Sequence, residues 1–125
     1  MIATLDVSAS REVDAPVDRL YAADYVQHNP HILQGRTALK ALVQQLPPEV
    51  YYEPGLILAE GAFVAIHGRI RGWAAAPQVV VDLFRVEDGV LAEHWDVLQD
   101  EVPVQAAQAG IAMFALAEAQ RAPSD

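Results

Sequence analysis

Cysteine is absent from this 125-residue chain, which excludes disulfides, thiolate metal sites and a cysteine nucleophile. Basic residues are scarce: eight Lys and Arg stand against 17 Asp and Glu, for a formal net charge of -9 and a pI near 4.7. The eight form no run. Nucleic-acid backbones and anionic membrane surfaces both need a positive patch, so neither is an expected partner. Serine occurs only at Ser8, Ser10 and Ser124, which speaks against a serine hydrolase. No G-x-S-x-G elbow, glycine-rich phosphate loop or dinucleotide fingerprint is present. No apolar run approaches membrane-spanning length, and Met1-Ile-Ala-Thr-Leu-Asp6 has no basic segment followed by an apolar one. A cytoplasmic location is the resulting expectation.

What is present fits one globular domain over residues 1–125, with 53% hydrophobic and 20% charged residues. In residues 1–10, Ile2, Leu5 and Val7 fit neither helical nor strand periodicity. Asp14-Ala-Pro16 reads as a helix start, with Val17, Leu20 and Tyr21 as one apolar stripe. Tyr25 to Pro30 reads as an extended segment ending in a turn. Gly35 to Leu46 is the clearest helix, with Leu39, Leu42, Val43 and Leu46 on its buried stripe and Pro47-Pro48 as its stop. From Glu49 onward the pattern is β: Val50–Glu60 with a bend or bulge at Pro54-Gly55, then Phe63–Arg71, then Val79–Gln99 as a hairpin. The tail over residues 115–125 is weakly patterned, with a helical turn or two expected from Ala115 to Arg121. The expected class is α+β: a cone-shaped, strongly curved antiparallel sheet with two or three N-terminal helices over its concave face.

The hairpin concentrates the polar chemistry. A three-residue loop at Glu87-Asp88-Gly89 pairs Asp82 with His94 and Val80 with Asp96. Asp82, His94 and Asp96 then share one face with Phe84, Val86, Val90, Ala92 and Leu98. Two carboxylates and an imidazole on an otherwise apolar face suit proton transfer in a pocket. A two-residue Asp88-Gly89 loop would instead place Asp82 with Glu93 and Trp95 and split the cluster. His67 and Arg69 share a face of their strand, and Arg69 is a candidate partner for Asp82 or Asp96. His28 and Asn29, before Pro30, can cap the next turn or reach the pocket mouth. His28, His94 and Asp96 are a conceivable metal set, but no metal or other cofactor is expected. The opposite hairpin face, with Val81, Leu83, Leu91, Trp95 and Val97, is also apolar. A second subunit is its expected cover, with the C-terminal tail as the alternative.

These residues resemble a known family. Tyr25-Val-Gln-His-Asn-Pro30, the hairpin segment Val81 to Gln99 with Glu93-His-Trp-Asp96, and Gly110-Ile-Ala-Met-Phe114 are similar to the hallmarks of SnoaL-like polyketide cyclases. That family belongs to the nuclear-transport-factor-2-like superfamily, whose fold is a cone of antiparallel sheet with helices over its open side. The resemblance implies a small-molecule ligand, no metal or cofactor, and aldol-type ring closure, isomerisation or a related lyase reaction. It places the general acid/base on Asp96, surrounded by His94, Asp82 and His28. Asn29, His67, Phe84 and Arg69 are the remaining candidate substrate contacts. A non-catalytic binding protein or a dimeric interaction module of the same fold are the alternatives. The chain departs from the family at its N-terminus, where the usual long first helix is shortened or replaced by residues 1–13.

Overall fold

The computed structural model describes residues 14–116; the expectations for residues 1–13, and for the tail beyond Leu116, lie outside that range. Helix α1 spans Asp14–Leu20. Pro16 lies in its first turn, where a missing N–H removes no intrahelical bond. Tyr21, expected to extend the helical stripe, instead opens strand β1 (Tyr21–Gln27). The reason is tertiary. β1 pairs parallel with the last strand, Tyr21 in register with Leu91 and Gln27 with His94. Helix α2 (Arg36–Gln45) follows Gly35 and stops before Pro47-Pro48, with Leu39 and Val43 buried.

The remaining strands are β2 (Tyr51–Glu60), β3 (Phe63–Arg71), β4 (Gln78–Glu87) and β5 (Val90–Asp100). They make one five-stranded sheet in the order β1-β5-β4-β3-β2, antiparallel except for β1 against β5. The described residues thus make an α+β unit with a mostly antiparallel sheet and two α-helices. The break at Pro54-Gly55 is a register shift between Pro54 and Ile57, as the sequence suggested. The core lies between the helices and one sheet face, where Val17, Tyr21, Tyr25, Leu39, Val43, Ile66, Phe84 and Leu91 form one buried cluster. Burying a side chain such as Phe84, only 5% exposed, is worth about 1.5–3 kcal/mol.

The hairpin register differs from the three-residue-loop expectation. Glu87 pairs with Val90, so the loop is Asp88-Gly89, and both residues take positive φ (53° and 78°). By itself that loop would split the polar cluster. One extra residue reverses the effect: the ladder slips between Arg85/Glu93 and Val86/Leu91, leaving Ala92 without a partner. Asp82 then faces Asp96, and Phe84 faces His94. The pairing is displaced by two residues from the expected one, and a two-residue shift preserves faces. Leu91 is the casualty of the expectation. Placed on the outer face from the sequence, it is buried in the core, because the bulge turns the strand before Glu93.

Behind the sheet, the segment after a short 3-10 turn (Val104–Ala106) returns to bury Phe114 against His67 and under the Arg69 guanidinium. The tail therefore covers part of the outer face. Leu58, Phe63, Val81, Leu83 and Val97 of that face stay exposed, Val97 at 71%.

The turn is testable. Gly89→Ala puts a Cβ on a left-handed residue and should destabilise the protein by about 1 kcal/mol, read as a lower urea midpoint with unchanged slope.

Candidate active site

Between α2 and the inner sheet face lies a cavity of about 190 Å³. The α2 stripe, Leu39, Leu42, Val43 and Leu46, forms one wall, and Val80, Phe84, Ile70 and Leu98 contribute from the sheet. Against this apolar lining stand Asp82, His94, Asp96, Gln27, Asn29, Tyr25 and Tyr52. Gln27, Asn29 and His94 are at most 7% exposed. At that depth each polar group must be hydrogen-bonded, and each is.

Two side-chain amides fix the protons. Gln27 Oε1 accepts the backbone N–H of Asn29 at 3.0 Å, so its oxygen must face that way. The same oxygen lies 2.6 Å from His94 Nδ1, which therefore carries a proton and donates it. Gln27 Nε2 donates to the Tyr25 hydroxyl at 3.1 Å. Asn29 repeats the device. Its Oδ1 accepts the His31 backbone N–H at 2.8 Å, which turns Nδ2 onto both Asp96 oxygens, at 2.9 and 2.8 Å. Gln34 in turn clamps the Gln27 backbone, accepting its N–H and donating to its carbonyl.

His94 Nε2 lies 2.8 Å from Asp82 Oδ1 and 3.9 Å from Asp96 Oδ2. The shorter contact holds a second proton between imidazole and carboxylate. Tyr52 donates to the other Asp82 oxygen at 3.2 Å. Gly68 makes that reach feasible, since a Cβ there would stand 2.4 Å from the Tyr52 hydroxyl. Burial pushes the Tyr52 phenol far above its ordinary value, and the Asp82 charge adds to the effect. Tyr25 and Tyr21 are raised chiefly by burial as well. All three phenols therefore remain protonated donors across the physiological range.

Of the residues singled out from the sequence, Asp82, His94, Asp96, Asn29 and Phe84 line this cavity. Three others lie elsewhere. His28 points to the opposite face, because an extended chain alternates and sends Gln27 and Asn29 inward together. There it contacts Glu93 at 2.6 Å and stacks on Trp95 with ring centroids 4.8 Å apart. That imidazole, with the Arg85 guanidinium, holds the Glu93 carboxyl below the usual carboxylate range. On β3 the inward residues are Ile66, Gly68 and Ile70, so His67 and Arg69 face outward. Arg69 engages Glu101 through two bonds, at 2.8 and 2.7 Å, and does not reach Asp82 or Asp96. Gln27, Tyr25 and Tyr52 were not picked out from the sequence. The alternation around His28 was the available signal for Gln27; nothing local marks Tyr52.

Among the described residues, Asp82, His94 and Asp96 are also the group able to hold a cation, with ligand atoms within 4.8 Å of one another. The set with His28 is not assembled, and the Asp82 hydrogen bond already occupies the Nε2 position a metal would take.

The family described as the SnoaL-like domain matches residues 2–94. The match ends at His94, two residues before Asp96. No curated protein matches the chain. Similar solved structures include an NTF-2-like protein of unknown function from Burkholderia xenovorans, 20% identical, covering 95% of this chain and 87% of that one at a TM-score of 0.63. A candidate polyketide cyclase from Sinorhizobium meliloti is 19% identical, with 73% and 86% covered and a TM-score of 0.60. A candidate ketosteroid isomerase from Kribbella flavida is 20% identical, with 68% and 64% covered and a TM-score of 0.59. These likenesses identify the fold as NTF2-like.

Alkaline stability tests the buried phenols. Above about pH 10 the unfolded chain loses phenolic protons that the folded chain keeps. The folded state then binds more protons, so stability falls as pH rises, by about 1.4 kcal/mol per pH unit for each phenol involved. Tyr52→Phe should make that fall shallower in urea melts between pH 9 and about pH 11.

Proposed function

The chain belongs to the SnoaL-like domain family, and from that premise we propose a small-molecule enzyme that works by acid–base chemistry without a bound cofactor. The reaction class is an aldol-type cyclisation, an isomerisation or a related lyase step on a small carbonyl or cyclic compound. The substrate sits in the cone formed by the sheet and closed by α2.

The observation carrying this reading is the unequal hydrogen bonding of the two carboxylates. Asp82 has both oxygens engaged, by His94 and by Tyr52. Asp96 receives only the Asn29 amide among the described residues. Its remaining lone pairs are free to take a proton from carbon next to a carbonyl, so Asp96 is the general base. The His94–Asp82 pair, which already shares a proton, is the acid that protonates the product, and the proton left on Asp96 then restores that pair. Tyr25 accepts from Gln27 and keeps its own O–H for the developing enolate oxygen. Phe84 and the α2 stripe exclude water around these groups. His28, His67 and Arg69 have no part in this scheme, since each is paired on the outer face.

Asp96→Asn should lower kcat/KM on the true substrate by about 10²–10⁴-fold while leaving the fold intact. Unchanged turnover would remove Asp96 as the base. Ligand binding without any turnover in the unsubstituted protein would favour the binding-protein reading, which the largely apolar lining also suits.

We further propose a homodimer through the part of the outer face that the tail leaves open. Leu83 and Val97 lie on neighbouring strands there, and Phe63 and Leu58 continue the apolar surface towards β2. Light scattering on a sizing column should give twice the chain mass. Val97→Glu combined with Leu83→Glu should reduce it to one chain; a monomeric mass before substitution would end the idea.

A further inference from the structure

Substrate size and charge can be read from the same pocket. We propose that the site accepts neutral, single-ring carbonyl compounds and discriminates against both fused polycyclic and anionic ones. This rests on the acid–base reading above only for the word carbonyl; the limits on size and charge come from the cavity.

The size limit follows from the volume. A cavity of about 190 Å³ is below the roughly 300–1,000 Å³ of sites that enclose drug-sized ligands. A void of about 150 Å³ suffices for benzene. The excess here leaves room for one ring and a short substituent. Further fused rings would have to stand in water at the mouth, where they bury no added surface. The wall that sets the limit is α2, whose Leu42 and Leu46 side chains face the sheet across the cavity. Both are partly exposed, so shortening either widens the site without emptying the core cluster.

The charge limit follows from the lining. Among the described residues, Asp82, Asp96 and His94 are its acidic and basic side chains besides the tyrosines, and no described Lys or Arg lines the cavity. The arginines of β3 and β4 are committed on the outer face: Arg69 to Glu101 and Glu53, Arg71 to Glu53, Arg85 to Glu93 and Glu87. A carboxylate or phosphate entering the pocket would meet two carboxylates, with one shared proton between Asp82 and His94 to offset them. It would also approach a protein of formal charge -9. A neutral carbonyl meets instead the Tyr25 hydroxyl and the His94–Asp82 proton.

The test is a binding series on the unsubstituted protein, followed by calorimetry or by NMR shifts of the His94 and Asn29 signals. Acetophenone is the single-ring neutral probe, 4-acetylbenzoate its anionic counterpart and 2-acetylanthracene the fused counterpart. Acetophenone should bind at least about tenfold tighter than 4-acetylbenzoate, a difference of about 1.4 kcal/mol. 2-Acetylanthracene should bind no tighter than acetophenone despite its larger apolar surface. In Leu42→Ala, or in Leu46→Ala should the first not fold, 2-acetylanthracene should gain affinity relative to acetophenone. Equal affinity for the anion overturns the charge limit. Tighter binding of the fused compound to the unsubstituted protein overturns the size limit, and absence of acetophenone binding overturns both. None of these readouts involves turnover, so they fail or succeed independently of the Asp96→Asn result.

Discussion

The one extra residue in β5 is the constraint on which the site depends. With the two-residue Asp88-Gly89 turn and a regular ladder, Asp82 would oppose Trp95, and Asp96 would fall on the other face from it. Leaving Ala92 unpaired advances β5 by one position, so that Asp82 and Asp96 stand opposite each other with His94 beside them. The same kink tucks Leu91 into the core cluster that also holds Val17, Tyr21 and Tyr25. A local irregularity of backbone pairing thus anchors the hairpin and assembles its chemistry together.

Given that register, the cost of burying polar groups dictates much of the rest. An imidazole and two carboxylates at the floor of an apolar pocket are tolerable only with partners. The Gln27-His28-Asn29-Pro30 segment supplies them. Its odd-numbered residues turn inward as amides whose orientation is set by backbone N–H groups, not by the groups they serve. That independence matters: neither Gln27 nor Asn29 can flip without losing a backbone bond, so the proton on His94 Nδ1 and the single donor pair to Asp96 are fixed by the backbone. Tyr52 closes the set from the β2 edge of the same face, through space left by Gly68.

The outer face answers to different needs. Arg69, flanked by Glu53 and Glu101 and lying over Phe114, ties the returning C-terminal segment to β2 and β3. His28, Glu93, Arg85 and Trp95 make a second polar and aromatic cluster near β1. Between the two lies the exposed apolar strip. The charges of this face are therefore structural couplings around an open surface, and they are separated from the pocket by the thickness of the sheet.

How much of this was legible in the chain differs by residue. Periodicity and punctuation determined α2, the bulge at Pro54-Gly55 and the β2–β5 strands, because each depends on neighbours a few residues apart. The nearness of Asp82, His94 and Asp96 was expected from a loop that the structure does not have, and it is the bulge at Ala92 that brings them together. Local pattern also carried enough information to send His28 away from Gln27 and Asn29, had alternation been applied through the turn. Tertiary structure alone decided three things. It made Tyr21 a strand residue, since a parallel partner 70 residues away outweighs a helical stripe. It chose between two hairpin loops and then corrected the register with Ala92, since both loops satisfy the local sequence. And it brought Tyr52 to Asp82 and Arg69 to Glu101, because which side of a strand faces the helices is set by packing the whole sheet, not by any one strand's own alternation.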